Sequence, residues 1–388
     1  MKRIYMDYAA TTPVREEVLE EMNKYFYGKF GNASSLHSFG AEAAQAIEES
    51  RKRIATAINA TPDEIIFTSG GTEADNLALK GVAFANRNKG NHIIVSSIEH
   101  DAIIQTAEYL EKNGFSVTKL HVDKHGLVDL EELKNSITGK TILVSVMHAN
   151  NEMGTIEPIE EIGKICKSHG ALFHTDAVQT LGKIPIDVNK MNVDLLTVSS
   201  HKIYGPKGVG ALYVRKGVKL EPVAHGGGQE HGMRSGTENV AGIAGFGKAA
   251  ELAVAEMGAE SARLEKLRDR IIAGILKIEN ARLNGHATKR LPNNVNATFK
   301  FIEGEGLVLL LDEAGIAVST GSACSSKSLE PSHVLLALGL KHEEAHGSLR
   351  ITLGRETAES DVEYLLSVLP GCVARLRRIS PFGKTIGK

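Results

Sequence analysis

The chain has 388 residues, of which 42% are apolar, and its 45 lysines and arginines stand against 47 aspartates and glutamates for a net charge of −2. That length holds roughly two or three domains' worth of sequence and a sizeable core, while the near balance of charge excludes a field that recruits nucleic acid or an anionic membrane. No apolar run approaches the roughly 20 residues of a membrane span, and "MKRIYMDYAATTPVREE" lacks the apolar core of a signal peptide, so the expected location is the cytoplasm.

After an initial extended segment, "VREEVLEEMNKYFYG" and "FGAEAAQAIEESRKRIATAIN" carry helical apolar spacing and end near Gly28 and Asn59. An alternation follows. Strand-like "EIIFTS", "HIIVSS", "FSVTKLHV", "TILVSVM" and "ALFHTD" take turns with helical "TEADNLALKGVAFANRN", "DAIIQTAEYLEKNG", "LEELKNSI" and "IEEIGKICKSHG". Such a pattern implies crossover connections and a mostly parallel sheet with helices on both faces, and it puts binding groups in the loops beyond the carboxyl ends of the strands. With "DLLTVSS" and "GALYVRK" the expected sheet has seven strands. From about Thr237 a long helical region reaches about Glu279. It is followed by "NNVNATFKF", a helix in "EGLVLLLDEAG", "IAVSTG", a helix near "SHVLLALG", "GSLRITLG" and a last helix "ESDVEYLLSVLPGCVARLRR". That order suits a smaller α+β domain shared with the N-terminal segment. The expected division is a large domain over 12–255 and a small one built from 1–11 and 256–388.

Three cysteines without a C-x-x-C spacing exclude a disulfide framework and a four-thiolate zinc site. Cys166, beside Ile162 and Ile165 on the apolar side of a helix, and Cys372 read as small core residues. Cys324 stands apart, among the small polar residues of "VSTGSACSSKSLEP". "HEEAH", His342 to His346, has the spacing of a zinc-protease motif, but a strand follows at once, so the reading is a polar helical turn.

Three constellations carry chemistry. In "FTSGGTEADN" a strand ends at Thr68, and Gly70, Gly71 and Thr72 lead into a helix whose free N–H groups suit a phosphate. In "HTDAVQTLGK", Asp176 ends a strand and Gln179 follows three residues on. In "SSHK", Ser199 and His201 offer phosphate donors and Lys202 an amine able to form a Schiff base. Singly, each has a plainer reading as a turn, a helix cap or a solvated lysine. Together they are the parts that pyridoxal phosphate requires: a lysine, an acid for the pyridinium nitrogen and a phosphate cup.

From "YMDYAATTP" through "FGNASSLHSFG", "EHDAI", "MHANNEMG", "SSHKIYGPKG", "HGGGQEHGMRSGT", "STGSACSS" and "SLRITLG" to "RLRRISP", the chain resembles the cysteine desulfurases of the iron–sulfur-assembly and nitrogen-fixation group. The resemblance implies the aspartate-aminotransferase fold, which is pyridoxal-phosphate fold type I of class α/β. It implies a reaction that takes sulfur from L-cysteine, leaving alanine and a persulfide. By resemblance Lys202 is the Schiff-base lysine and Cα proton shuttle, Asp176 pairs with the pyridinium nitrogen, and Gln179 bonds the ring's phenolic oxygen. Gly71, Thr72, Ser199 and His201 take the phosphate, with Thr237 contributed by the other subunit of a homodimer. His100 stacks on the ring and handles protons as a catalytic residue, Asn151 and Arg350 hold the substrate carboxylate, with Asn151 also counted among the cofactor-binding residues, and Cys324 is the nucleophile. The implied acceptor is an iron–sulfur scaffold protein or a sulfur carrier for tRNA thiolation. Any cluster ligation by Cys324 would be transient and shared with that scaffold. The departures are small: Ser200 stands where glycine or alanine is common, and Thr320 where serine is common.

Overall fold

A computed structural model describes residues 3–320 and 331–380. In chain order the elements open with β1 (Ile4–Tyr5), α1 (Glu16–Asn23), which continues as a wider helical turn to Gly28, and α2 (Ser38–Ala57). Then come β2 (Ile65–Thr68), α3 (Gly71–Ala85), β3 (His92–Ser96), α4 (Asp101–Lys112), β4 (Ser116–Leu120), α5 (Leu130–Ser136), β5 (Thr141–Ser145), α6 (Ile159–His169) and β6 (Leu172–Asp176). β7 (Leu195–Ser199) and β8 (Gly210–Val214) complete this run. The remainder is α7 (Val240–Ile275), β9 (Ala281–Leu283), β10 (Asn294–Phe299), α8 (Gly304–Glu313), β11 (Ile316–Ala317), α9 (His333–Ala337), α10 (His342–His346), β12 (Ser348–Thr352) and α11 (Glu359–Ile379).

β2 to β8 form one seven-stranded sheet in the order β2-β8-β7-β6-β5-β3-β4. β2, β3, β5 and β7 are buried at every position, which is why they read as unbroken apolar runs rather than alternations: helices cover both faces. All strands run the same way except β8, which is antiparallel to β7 and to β2. The connection over 200–209 is too short for the dozen or more residues of a parallel crossover, so the chain returns as a hairpin. In consequence β2, β3, β5, β6 and β7 all end on the same edge of the sheet, and the loops leaving them converge there.

The second, smaller sheet is antiparallel in the order β12-β10-β9, and β1 pairs with β11 alongside it. Its core of Val295, Phe299, Leu307, Leu311, Leu349 and Leu365 is separate from the core under the large sheet. The 36-residue α7 joins the two: Ile243, Phe246 and Ala250 pack under the large sheet, and Leu264, Leu267 and Ile271 under the small one. Small residues in its first half let α2 approach closely, so that a Cβ on Gly247 would meet Ser50 at 2.7 Å. "HEEAH" forms α10, a five-residue turn that ends at Gly347 just before β12, with Glu344 paired to Lys300 at 3.0 Å.

Candidate active site

A cavity of about 520 Å³ opens where the strand ends converge. Its floor is the start of α3, whose N-cap Gly70 lies at φ 155°, ψ 179°, a conformation essentially confined to glycine. No side chain caps this helix, so the N–H groups of its first turn and the positive end of its dipole face the cavity beside Thr72. Ser199 at the end of β7 and His201 in the turn that follows line the same floor.

Lys202 closes that turn, and its ammonium donates to the carbonyls of Ala9 at 2.6 Å and Ala10 at 2.8 Å, so the N-terminal segment holds it over the sheet edge. Gln179 donates to the same Ala9 carbonyl at 3.1 Å. Asp176, buried at the end of β6, accepts the Val178 N–H at 2.8 Å. Burial raises its carboxyl above the usual range, against the pull of the Val178 bond, His100 and Lys202. His100 caps α4, its Nδ1 accepting the Ala102 N–H at 3.1 Å, and also lines the cavity, so the cap reading and the site reading describe one side chain. Burial, with Lys202 second, pushes His201 down to about 4, which leaves a neutral imidazole within 3.2 Å of the Thr11 hydroxyl.

Arg350 comes from β12 of the small sheet and is buried, not the surface charge that a strand lysine or arginine usually is. Its guanidinium donates to Asp7 Oδ1 at 2.8 Å and to the Asn151 carbonyl at 3.2 Å. Asn151 lines the cavity too, so ten of the sequence-derived site residues meet there: Gly71, Thr72, His100, Asn151, Asp176, Gln179, Ser199, His201, Lys202 and Arg350. Thr237 does not line it; it lies exposed in the loop before α7. Cys324 lies outside the described residues. Cys166 is buried, with its thiol pushed up to about 12 by burial, and Cys372 is partly buried against the small-sheet core.

Sequence reasoning missed four groups. Asp7 reaches Arg350 across a separation of 343 residues, and no local pattern announces that. Asp75 and Glu99 are buried carboxyls on the cavity wall, each with one oxygen lacking a hydrogen-bond partner. Burial raises both, Glu99 to about 8. Asp75 sits one turn past Gly71 and Thr72 on the cavity face of α3, a position the helical period could have supplied. Glu152, buried, accepts the Ser332 hydroxyl at 2.6 Å and joins the wall next to Arg350.

These residues fit pyridoxal phosphate on chemical grounds: an uncapped helix start with neutral hydroxyl and imidazole donors for a phosphate, a buried carboxyl for a cationic ring nitrogen, and an amine on the same cavity. The chain belongs to the class-V aminotransferase family, whose model matches residues 4–365, and its fold is pyridoxal-phosphate fold type I. Within that family it is similar to cysteine desulfurases. It is 58% identical to the cysteine desulfurase IscS of Methanosarcina thermophila, over 98% of this chain and 94% of that protein. It is 59% identical to cysteine desulfurase IscS 1 of Archaeoglobus fulgidus, over 97% and 98%. A solved NifS-like protein superposes with a TM-score of 0.91 at 41% identity, over 96% of this chain and 100% of that one. The chain is thus a cysteine desulfurase, a pyridoxal-phosphate enzyme acting on L-cysteine. Among the described residues no helix is long and apolar enough to cross a membrane.

Proposed function

We propose a division of labour among the residues of this cavity. Gly71, Thr72, Ser199 and His201 hold the cofactor phosphate, Asp176 its ring nitrogen and Gln179 its phenolic oxygen, with His100 against the ring and Lys202 as the covalent anchor. Bound there, the cofactor supplies a sink for the electron pair released at Cα of L-cysteine. Arg350, steadied by Asp7 and the Asn151 carbonyl, receives the substrate carboxylate, a task suited to a planar guanidinium. Lys202 Nζ takes the Cα proton. The Cys324 thiolate then attacks the substrate sulfur, the Cβ–S bond breaks with its electron pair left on carbon, a proton completes the alanine methyl, and the sulfur stays on Cys324 as a persulfide.

The observation that carries this reading is the convergence of Lys202, Asp176 and Arg350 on one cavity, with both flanks of the 321–330 segment beside it. Pro331 lines the cavity, and the Ser319 and Arg350 backbones bond each other at 2.6 and 3.2 Å. Incubation with L-cysteine, followed by thiol blocking and peptide mass spectrometry, tests it. The expected product is one extra sulfur on Cys324 and none on Cys166 or Cys372. Undiminished alanine release by Cys324→Ala overturns the assignment. The sulfur acceptor in this reading is an iron–sulfur scaffold protein or another sulfur carrier, and a cysteine content without paired spacing suits the reducing cytoplasm.

We also infer a homodimer and two domains. Thr237 is exposed and outside its own cavity, as a residue serving another chain must be. Phe26, Tyr27, Phe30, Leu36 and Phe39 form an exposed apolar stretch of the kind that marks an interface. The separate cores support a large domain over 12–255 and a small one over 1–11 and 256–388. A further cluster, Ile98, Met147 and Met153 with Val334, Leu335 and Leu338, joins residues of both at the cavity wall.

A further inference from the structure

Thr237 sits near the end of the glycine-rich segment "HGGGQEHGMRSGTEN", residues 225–239, whose composition raises the entropic cost of holding any one shape. The segment is nevertheless tied to the large sheet at two points. At the first, Arg51 of α2 donates through both terminal nitrogens to the Glu230 carboxylate, each bond 2.8 Å long, with both side chains buried. The same pair covers the open side of edge strand β2: Glu230 accepts the Phe67 N–H at 2.7 Å, and Arg51 donates to the Ile65 carbonyl at 2.6 Å. Glu230 and His231 lie at φ 47° and 57°, two successive side-chain-bearing residues in the left-handed region, which persists only where the surroundings over-determine it.

At the second point, Arg234 donates to Glu73 at 2.8 Å, while the other Glu73 oxygen accepts the Ser69 N–H at 2.9 Å. The segment is therefore moored to the turn that forms the phosphate floor. Between and beyond the anchors it is braced internally, Ser235 donating to the Gly227 carbonyl at 2.7 Å and the Gly236 N–H to Gln229 at 3.1 Å. Thr237 follows directly after this braced stretch.

We propose that the Arg51–Glu230 and Arg234–Glu73 pairs form a two-point clamp whose task is to hold Thr237 in reach of the partner subunit's phosphate site. This rests on the shared-site reading above. None of the four clamp residues lines the cavity. They are positioning residues, and they act on the site of the opposite chain, although Glu73 stands beside the site of its own.

Heterodimers of two differently tagged chains separate these directions, with Lys202→Ala silencing one site so that visible absorbance of the lysine-linked cofactor reports the other. In the first heterodimer Arg234→Met and Lys202→Ala share a chain, and the reporting site depends on the altered arm. In the second, Arg234→Met is on the reporting chain, which then receives an intact arm from the other. Arg234 is partly exposed, so its loss leaves the fold in place. The expected result is cofactor loss on dialysis roughly tenfold faster in the first heterodimer, the size of a lost charge-assisted hydrogen bond, and parental retention in the second. Glu230→Gln should follow the same pattern, and hydrogen exchange over 225–239 should rise in both variants. The reverse pattern, or equal loss in both, overturns the clamp in favour of a local role for Glu73 in its own phosphate turn. Thr237→Ala in the same two arrangements tests the reading beneath. A trans defect for Thr237→Ala with none for Arg234→Met sinks the clamp alone, whereas no trans defect for Thr237→Ala removes the shared site and the clamp together.

Discussion

Arg350 carries its orientation in its partners. With Asp7 and the Asn151 carbonyl fixing two of its nitrogens, the guanidinium is held in one orientation, so that under the proposed role in carboxylate recognition its ordering would cost little at the moment of binding. Asp7→Asn keeps the shape and removes the charge. Its expected effect is a roughly tenfold rise in KM for L-cysteine, the order of one charge-assisted hydrogen bond, with kcat changed by less than about twofold since the group is not at the reacting atoms. Steady-state kinetics decide it: an unchanged KM with a fallen kcat would remove Arg350 from carboxylate recognition. A second residue sets a pH dependence. Glu157 is buried, one oxygen accepts the Val128 N–H at 3.0 Å, and the other has no partner. Burial first, and then the neighbouring charge of Glu99, push its carboxyl up to about 8. Because the folded chain binds this proton more tightly than the unfolded one, the group's contribution is intact below the ordinary carboxyl pKa of about 4.3 and is lost as pH rises toward 8. Glu157→Gln cannot ionise. Its Tm should match the parent near pH 4 and exceed it increasingly up to pH 8, as differential scanning calorimetry across that range would show; a constant offset would mean that the carboxyl is ionised throughout.

At the scale of elements, the turn from β2 into α3 brings Gly71 and Thr72 to the cavity, where the proposed function assigns them the cofactor phosphate. A Cβ on Gly70 would meet nothing within 4 Å, so the demand for glycine there is conformational and not steric. Gly70→Ala should cost about 1–3 kcal/mol and tilt the first turn of α3 away from the phosphate, lowering cofactor affinity more than thermal stability; equilibrium dialysis alongside thermal denaturation compares the two. Most strands of the large sheet were legible as apolar runs bounded by turn residues, whereas β4, Ser116–Leu120, showed only through its place in the alternation, and the sequence order of motifs pointed to Lys202, Asp176 and Gly71. The reversal of β8 was written less plainly, in the shortness of the 200–209 connection. α7 reads as a long helical region, and its continuity across both cores follows from glycines that serve close packing, Gly247 on Ser50 of α2 and Gly245 on Met22 of α1, where local propensity alone would count them as breaks. What stayed hidden was long-range: the Asp7–Arg350 pair and the convergence of Asp75 and Glu99 on one wall exist only after folding, and a buried carboxyl looks in sequence like any solvated one.

For the whole molecule, the question is why a chain with two well-formed cores leaves aromatic residues in water. Tyr27 is 88% exposed and Leu36 is fully so, with Phe26 and Phe30 beyond half exposure on the same stretch after α1. Burying such side chains is worth roughly 1.5–3 kcal/mol each, enough for a few of them to offset a substantial part of the cost of association. A homodimer that covers this stretch also explains why Thr237 is placed outside its own cavity, since association and site completion then become one event. Leu36→Asp inserts a charge where the proposed interface needs apolar contact, while the exposed position leaves the monomer fold untouched. Sedimentation should show a dimer for the parent and a monomer for the variant at micromolar concentration, and the variant should lose its cofactor on dialysis despite an intact Lys202. A variant that remains dimeric and retains its cofactor would place the interface elsewhere and leave the apolar stretch for a different protein.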